Sequence, residues 1–130
     1  METGRILLVD DEAALLKMMK VYLERQGYPV STSSTTGQAS AMIDGEPLSY
    51  AVAVLDATMD GLSMEELALK MLQANPSLRV LATSGYPVDM SRLETAAPGR
   101  VAFLHKPFTP VMLAETIRGM LAAETKEKGI

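Results

Sequence analysis

Ile6-Leu7-Leu8-Val9-Asp10-Asp11-Glu12 is the stretch on which the fold turns. Four consecutive apolar residues leave no polar face, the pattern of a short strand buried on both sides of a parallel sheet. Three acids follow at once, so the chain leaves that strand into concentrated negative charge. Leu15, Leu16, Met19, Tyr22 and Leu23 then recur at the spacing of one helix face, and Gly27 with Pro29 ends the helix. The strand-then-helix phrase repeats downstream. Ala51 to Leu55 is a second clear strand, followed by the stripe Met64, Leu67, Ala68, Met71, Leu72, which stops at Asn75-Pro76. Arg79 to Thr83 is a third strand, before Gly85-Tyr86-Pro87. Val101 to Leu104 is a fourth, before a helix carrying Leu113, Ile117, Met120 and Leu121. Weaker patterns suggest a strand over Pro29 to Thr32, a helix over Thr36 to Ile43 and a short helix within Asp89 to Ala96.

Repeated strand–helix units imply a parallel sheet with right-handed crossovers and helices on both faces. Five units in 130 residues predict an α/β fold, a doubly wound, five-stranded parallel sheet of flavodoxin-like type with strand order 2-1-3-4-5. The length suits one domain, residues 1–123, with 124–130 as a tail that has lost apolar periodicity. An apolar share of 48% supports a globular core, and the absence of cysteine removes disulfides, zinc thiolates and thiol nucleophiles. Twelve basic residues against sixteen acidic ones give a net charge of −4, which argues against nucleic acid or an anionic membrane as a direct partner. The longest unbroken apolar run, Tyr50 to Leu55, falls far short of the ~20 residues that span a bilayer. With no signal-peptide pattern at the start, a soluble cytoplasmic domain is expected.

Ligands of such sheets bind beyond the carboxyl ends of the strands. Asp10, Asp11 and Glu12 follow the first strand, Asp56 the second clear one, Ser84 the third and Lys106-Pro107 the fourth. Each has an ordinary reading alone: Asp10 and Asp11 as helix caps, Asp56 and Ser84 as turn residues, Lys106 as a solvated charge. The sole histidine, His105, reads as a surface residue, and the ten methionines as core filler on helix stripes. The conjunction is what carries chemistry. Clustered carboxylates call for a hard cation such as Mg²⁺, which takes oxygen ligands and phosphate oxygens. Beside it an ionised Asp56 can attack phosphorus, Lys106 can offset the charge in flight, and the Ser84 hydroxyl can donate to a phosphoryl oxygen.

Four segments in this order carry a resemblance: Ile6 to Glu12, Val54-Leu-Asp-Ala-Thr-Met59, Ala82-Thr-Ser-Gly-Tyr86 and Phe103-Leu-His-Lys-Pro-Phe108. From Arg5 to Leu121 the chain resembles the receiver domain of two-component response regulators, in wording most like receivers of hybrid sensor histidine kinases. The resemblance implies that Asp56 is the phosphoacceptor and Asp11 a direct Mg²⁺ ligand. It implies that Asp10 acts mainly through metal-bound water and Thr58 through its backbone carbonyl. Ser84 becomes the switch hydroxyl, Phe103 the aromatic switch position, and Lys106 the cation that contacts the acyl phosphate, with a cis bond to Pro107. The implied partners are a histidine kinase or phosphotransfer protein and a downstream protein. The implied chemistry is Mg²⁺-dependent self-phosphorylation from phosphohistidine with slow autodephosphorylation, rather than an independent enzyme.

Two positions depart from the family's usual Asp-x-x-Met-Pro-Gly-Met-Ser-Gly: Asp60 replaces its proline and Met64 its last glycine. The first change should loosen the loop and bring a fourth carboxylate near the metal. Three alternatives stay open, the first because of these departures. One is a degenerate receiver that acts as a phosphorylation-independent protein-binding module. Another is a haloacid-dehalogenase-like phosphatase, which needs a second aspartate where Thr58 stands. The last is a flavin- or nucleotide-binding module, whose first turn should offer glycines to phosphate rather than Asp10 and Asp11.

Overall fold

A computed structural model describes residues 4–129, with side chains as far as Ala122. The elements run β1 (Arg5–Val9), α1 (Ala13–Arg25), β2 (Val30–Ser33), α2 (Thr36–Gly45), β3 (Tyr50–Asp56), α3 (Met64–Ala74), β4 (Arg79–Ser84), α4 (Ser91–Ala96), β5 (Val101–His105) and α5 (Pro110–Gly129). All five strands pair in parallel in the order β2-β1-β3-β4-β5, the order expected of a doubly wound sheet. The tail expected at 124–130 falls on residues whose side chains lie outside the described set, α5 being drawn through Gly129.

The uninterrupted apolar strands feed two cores. Ile6 and Leu8 face one side with Leu16, Leu23, Leu113 and Ile117 from α1 and α5. Leu7 and Val9 face the other with Ile43, Leu67, Met71 and Leu93 from α2, α3 and α4. A strand that must satisfy both faces cannot alternate with polar residues. Each such side chain, fully buried, contributes about 1.5–3 kcal/mol. Met19, Met64 and Met71 are core, as read, but Met18 and Met112 stand on the outside of α1 and α5, 48% and 44% exposed.

The helix ends are fixed by local chemistry. Gly27, at φ +97°, closes α1: its amide reaches the Glu24 carbonyl and the Tyr28 amide reaches Leu23, the paired bonds of a Schellman motif. Ser63 caps α3 by accepting the Glu66 amide at 3.0 Å. Arg100 closes the far end of α3, donating to the carbonyls of Leu72 and Asn75. Among the described residues no helix is long and apolar enough to cross a membrane.

Candidate functional site

Register brings the acidic residues together. Val9 pairs with Leu55 across β1 and β3, so Asp10 and Asp56 are the next residues on adjacent strands. Both are buried, at 2% and 4% exposure, whereas Asp11 is exposed. One oxygen from each of Asp10, Asp11 and Asp56 falls within 4.8 Å of the others. On the neighbouring side Ser84 pairs with His105, which delivers the following residue, Lys106, to the same crevice. Its Nζ stands 2.9 Å from Asp10 Oδ2, 3.3 Å from Asp56 Oδ2 and 3.6 Å from Glu12 Oε1.

The two buried carboxylates are oriented by their own turns. Asp10 Oδ1 accepts the Glu12 amide at 2.9 Å. Asp56 Oδ1 accepts both the amide and the hydroxyl of Thr58, at 2.9 and 2.8 Å. These are Asx turns, in which a carboxylate bonds the amide two residues on. The Oδ2 atoms are left to face Lys106. Burial pushes the Asp10 carboxyl above the ordinary aspartate value, outweighing the Glu12 amide and the Lys106 ammonium, while the charge of Asp56 adds to the rise. Burial works to lower Lys106, but its hydrogen bond to Asp10 and the charges of Asp10 and Asp56 leave its pKa raised.

One ammonium thus serves two buried carboxylates, with Asp11 beside them, and Asp10 remains short of positive charge. A set of hard oxygen donors in that condition fits Mg²⁺. A cavity of about 420 Å³ opens next to it, lined by Glu12, Leu15, Gly85, Lys106, Pro107 and Phe108. The Lys106–Pro107 peptide bond is cis, as the resemblance implied.

Ser84 is 1% exposed, and its Oγ accepts the Tyr86 amide at 3.0 Å; its hydroxyl hydrogen is still available to donate. Phe103 is half-buried against the α2–α4 core and meets the exposed His105 edge-on, the ring centroids 6.3 Å apart. Its register partner on β4 is Ala82, two residues before Ser84, so the ring and the hydroxyl share one face of the sheet.

The loop without proline is tied across the molecule to α2. Thr36 Oγ1 donates to the Asp60 carbonyl at 3.2 Å and accepts the Leu62 amide at 3.0 Å. Asp60 itself is exposed and is not in the carboxylate group formed, among the described residues, by Asp10, Asp11 and Asp56. Met64, in place of glycine, fills the core at 7% exposure. Sequence reasoning saw in Thr36 only the start of a helix and in Thr58 only a carbonyl. The Thr58 turn was findable, since Asp-x-Thr is an Asx-turn pattern; the bonds of Thr36 were not, because its partners lie 24 and 26 residues away.

Known proteins match this chain over most of its length. The response regulator receiver domain family matches residues 6–118. The "Alginate biosynthesis transcriptional regulatory protein AlgB" of Pseudomonas aeruginosa is 34% identical over 110 residues, 85% of this chain and 24% of that protein. The "Sensor kinase CckA" of Brucella abortus is 27% identical over 119 residues, 92% of this chain and 13% of that protein. The chain therefore spans about a quarter or less of these relatives. A response regulator receiver domain protein from Methanospirillum hungatei superimposes with a TM-score of 0.84 at 30% identity, covering 97% of this chain and 99% of that one. Receiver domains bind Mg²⁺ at an acidic cluster, and Asp10, Asp11 and Asp56 form an acidic group here. On the family match, the sheet order and the crevice together, the chain belongs to the receiver-domain family of two-component response regulators.

Proposed function

We propose that this receiver takes the phosphoryl group of a phosphohistidine onto Asp56 and, while modified, alters the surface it offers to a downstream protein. The donor is a histidine kinase or phosphotransfer protein in the cytoplasm. The observation that carries the reading is the Lys106 ammonium set between Asp10 Oδ2 and Asp56 Oδ2, at 2.9 and 3.3 Å.

Asp56 Oδ1 is occupied by Thr58, so Oδ2 is the oxygen free to attack. An O–P bond forms as the N–P bond of the donor breaks, and the imidazole leaves with the electron pair. Lys106, already aimed at Oδ2, stays on the acyl phosphate and offsets its charge. Asp10, Asp11, Asp56 and the Thr58 carbonyl would hold Mg²⁺, which supplies the positive charge that the carboxylates and phosphoryl oxygens need in order to approach. Phosphoramidate, a small nitrogen-linked donor, should label the wild type in Mg²⁺ and leave Asp56→Asn unlabelled. Stoichiometric aspartyl phosphate in that variant would sink the assignment. A wild type that took up nothing would favour the phosphorylation-independent binding module.

Switching has its own expected outcome. The Ser84 hydroxyl turns from its own loop toward the new phosphoryl oxygens, and Phe103 moves inward over Ala82. A charge-assisted hydrogen bond is worth about 1.5–3 kcal/mol, enough to shift a two-state equilibrium more than tenfold. Backbone chemical shifts with beryllofluoride should therefore move along β4, α4 and β5 as well as around Asp56. Changes confined to the carboxylates would contradict the switch.

A further inference from the structure

Thr36 opens α2 and is almost fully buried, at 4% exposure. Its hydroxyl is used twice on one distant loop, as donor to the Asp60 carbonyl and acceptor from the Leu62 amide. Gly61 between them has φ +94°, and a Cβ there would come within 2.5 Å of Thr36 Oγ1. The loop thus passes closer to Thr36 than any side chain at position 61 allows. At its start the same loop is tied to β4, where the Ala57 amide bonds the Thr83 carbonyl at 2.8 Å. Thr58 and Met59 are held between two anchors, and Met59 rests on the core.

We infer that Thr36 is a positioning residue of the phosphoacceptor site: through its bonds to Asp60 and Leu62 it fixes the loop that carries Asp56 and Thr58, and so sets metal affinity. The inference rests on the reading of Asp56 and its cluster as a Mg²⁺-dependent acceptor. The physical logic is that of any outer support to a metal site. A ligand on a short loop binds well only if the loop is already in place, because ordering it on binding subtracts from affinity. With aspartate at position 60 instead of proline, the restraint comes from across the molecule.

Thr36→Val keeps the side chain's shape and removes both bonds. Magnesium affinity, read by calorimetry on the unphosphorylated chain, should weaken about tenfold. Labelling by acetyl phosphate should slow at subsaturating Mg²⁺ and recover at saturation, a change in the metal requirement rather than in the limiting rate. Thr36→Ser, which keeps the hydroxyl, should restore both. Ile43→Val, a core change in the same helix, should lower the melting temperature without moving magnesium affinity. In the wild type the Leu62 amide should exchange slowly with solvent even without metal. Wild-type affinity in Thr36→Val, or equal weakening in Ile43→Val, would overturn the inference. So would a Leu62 amide that exchanges as a free loop amide, a result that stands even if Thr36→Val does not fold. A wild type that neither binds Mg²⁺ nor labels would instead remove the acceptor reading, and the inference with it.

Discussion

Lys106→Ala is expected to cost the metal-free domain about 2–3 kcal/mol at neutral pH and to slow phosphorylation of Asp56 about a hundredfold. The stability loss follows from what the ammonium leaves behind. Asp10 and Asp56 are nearly sealed from water, and Lys106, its side chain 18% exposed, bridges both. Removing one partner of a buried pair strands its opposite charge, which costs more than the pair ever contributed; partial exposure of the lysine trims the figure. The pH dependence has a definite sign. The Lys106 pKa is raised in the fold, so its stabilisation is fully present below pH 10.5 and disappears as pH rises through the folded value. On the alkaline side the wild type should therefore lose its advantage over Lys106→Ala only in strong alkali. Urea titrations of both proteins between pH 6 and pH 11 would check this, and equal stability at pH 7 would refute it.

Magnesium is expected to raise the melting temperature of the wild type by about 8–13 °C at a hundredfold excess over Kd. That range combines about 2.7 kcal/mol of linkage with ~3–5 °C per kcal/mol for a chain of this size. Asp10→Asn should reverse part of the pattern. Burial dominates the raised pKa of Asp10, which means the fold disfavours its ionised form. The penalty is absent below pH 3.8, grows as pH rises through the folded value and persists at neutrality. Asparagine keeps an oxygen for the Glu12 amide and carries no charge. The metal-free variant should melt above the metal-free wild type at pH 7, converge with it in acid, and respond little to Mg²⁺. Scanning calorimetry on four samples would decide it. A lower melting temperature for metal-free Asp10→Asn would show that Asp10 is stabilised by Lys106 more than it is penalised by burial.

These effects centre on residues that the sequence made visible, and for a physical reason. Strands with both faces buried must be apolar throughout, so Ile6–Val9 and Ala51–Leu55 declare themselves, and the residue after each lies at the sheet's binding edge. β2 was the faint strand because it is an edge: Ser31 and Thr32 are half-buried and need no apolar pattern. β5, the other edge, has Val101 to Leu104 all half-buried although the run is wholly apolar. In the loop after Asp56 the missing proline is legible and the distant hydroxyl is not. Thr36 gave no local signal of its bonds to Asp60 and Leu62. The Asp-x-Thr pattern hints at the turn, but sequence does not show that both Thr58 donors fall on one oxygen of Asp56 and leave the other to Lys106.

The central claim is that the crevice makes Asp56 a phosphoacceptor, and mapping the modified residue tests it most directly. The chain should be incubated with acetyl phosphate and Mg²⁺, reduced with borohydride to trap any acyl phosphate, digested and sequenced by mass spectrometry. The account predicts one phosphoryl group per chain, lost when the metal is chelated beforehand, with the reduction product at position 56 alone. An unmodified chain at saturating Mg²⁺, or a label that maps to another residue, would contradict it.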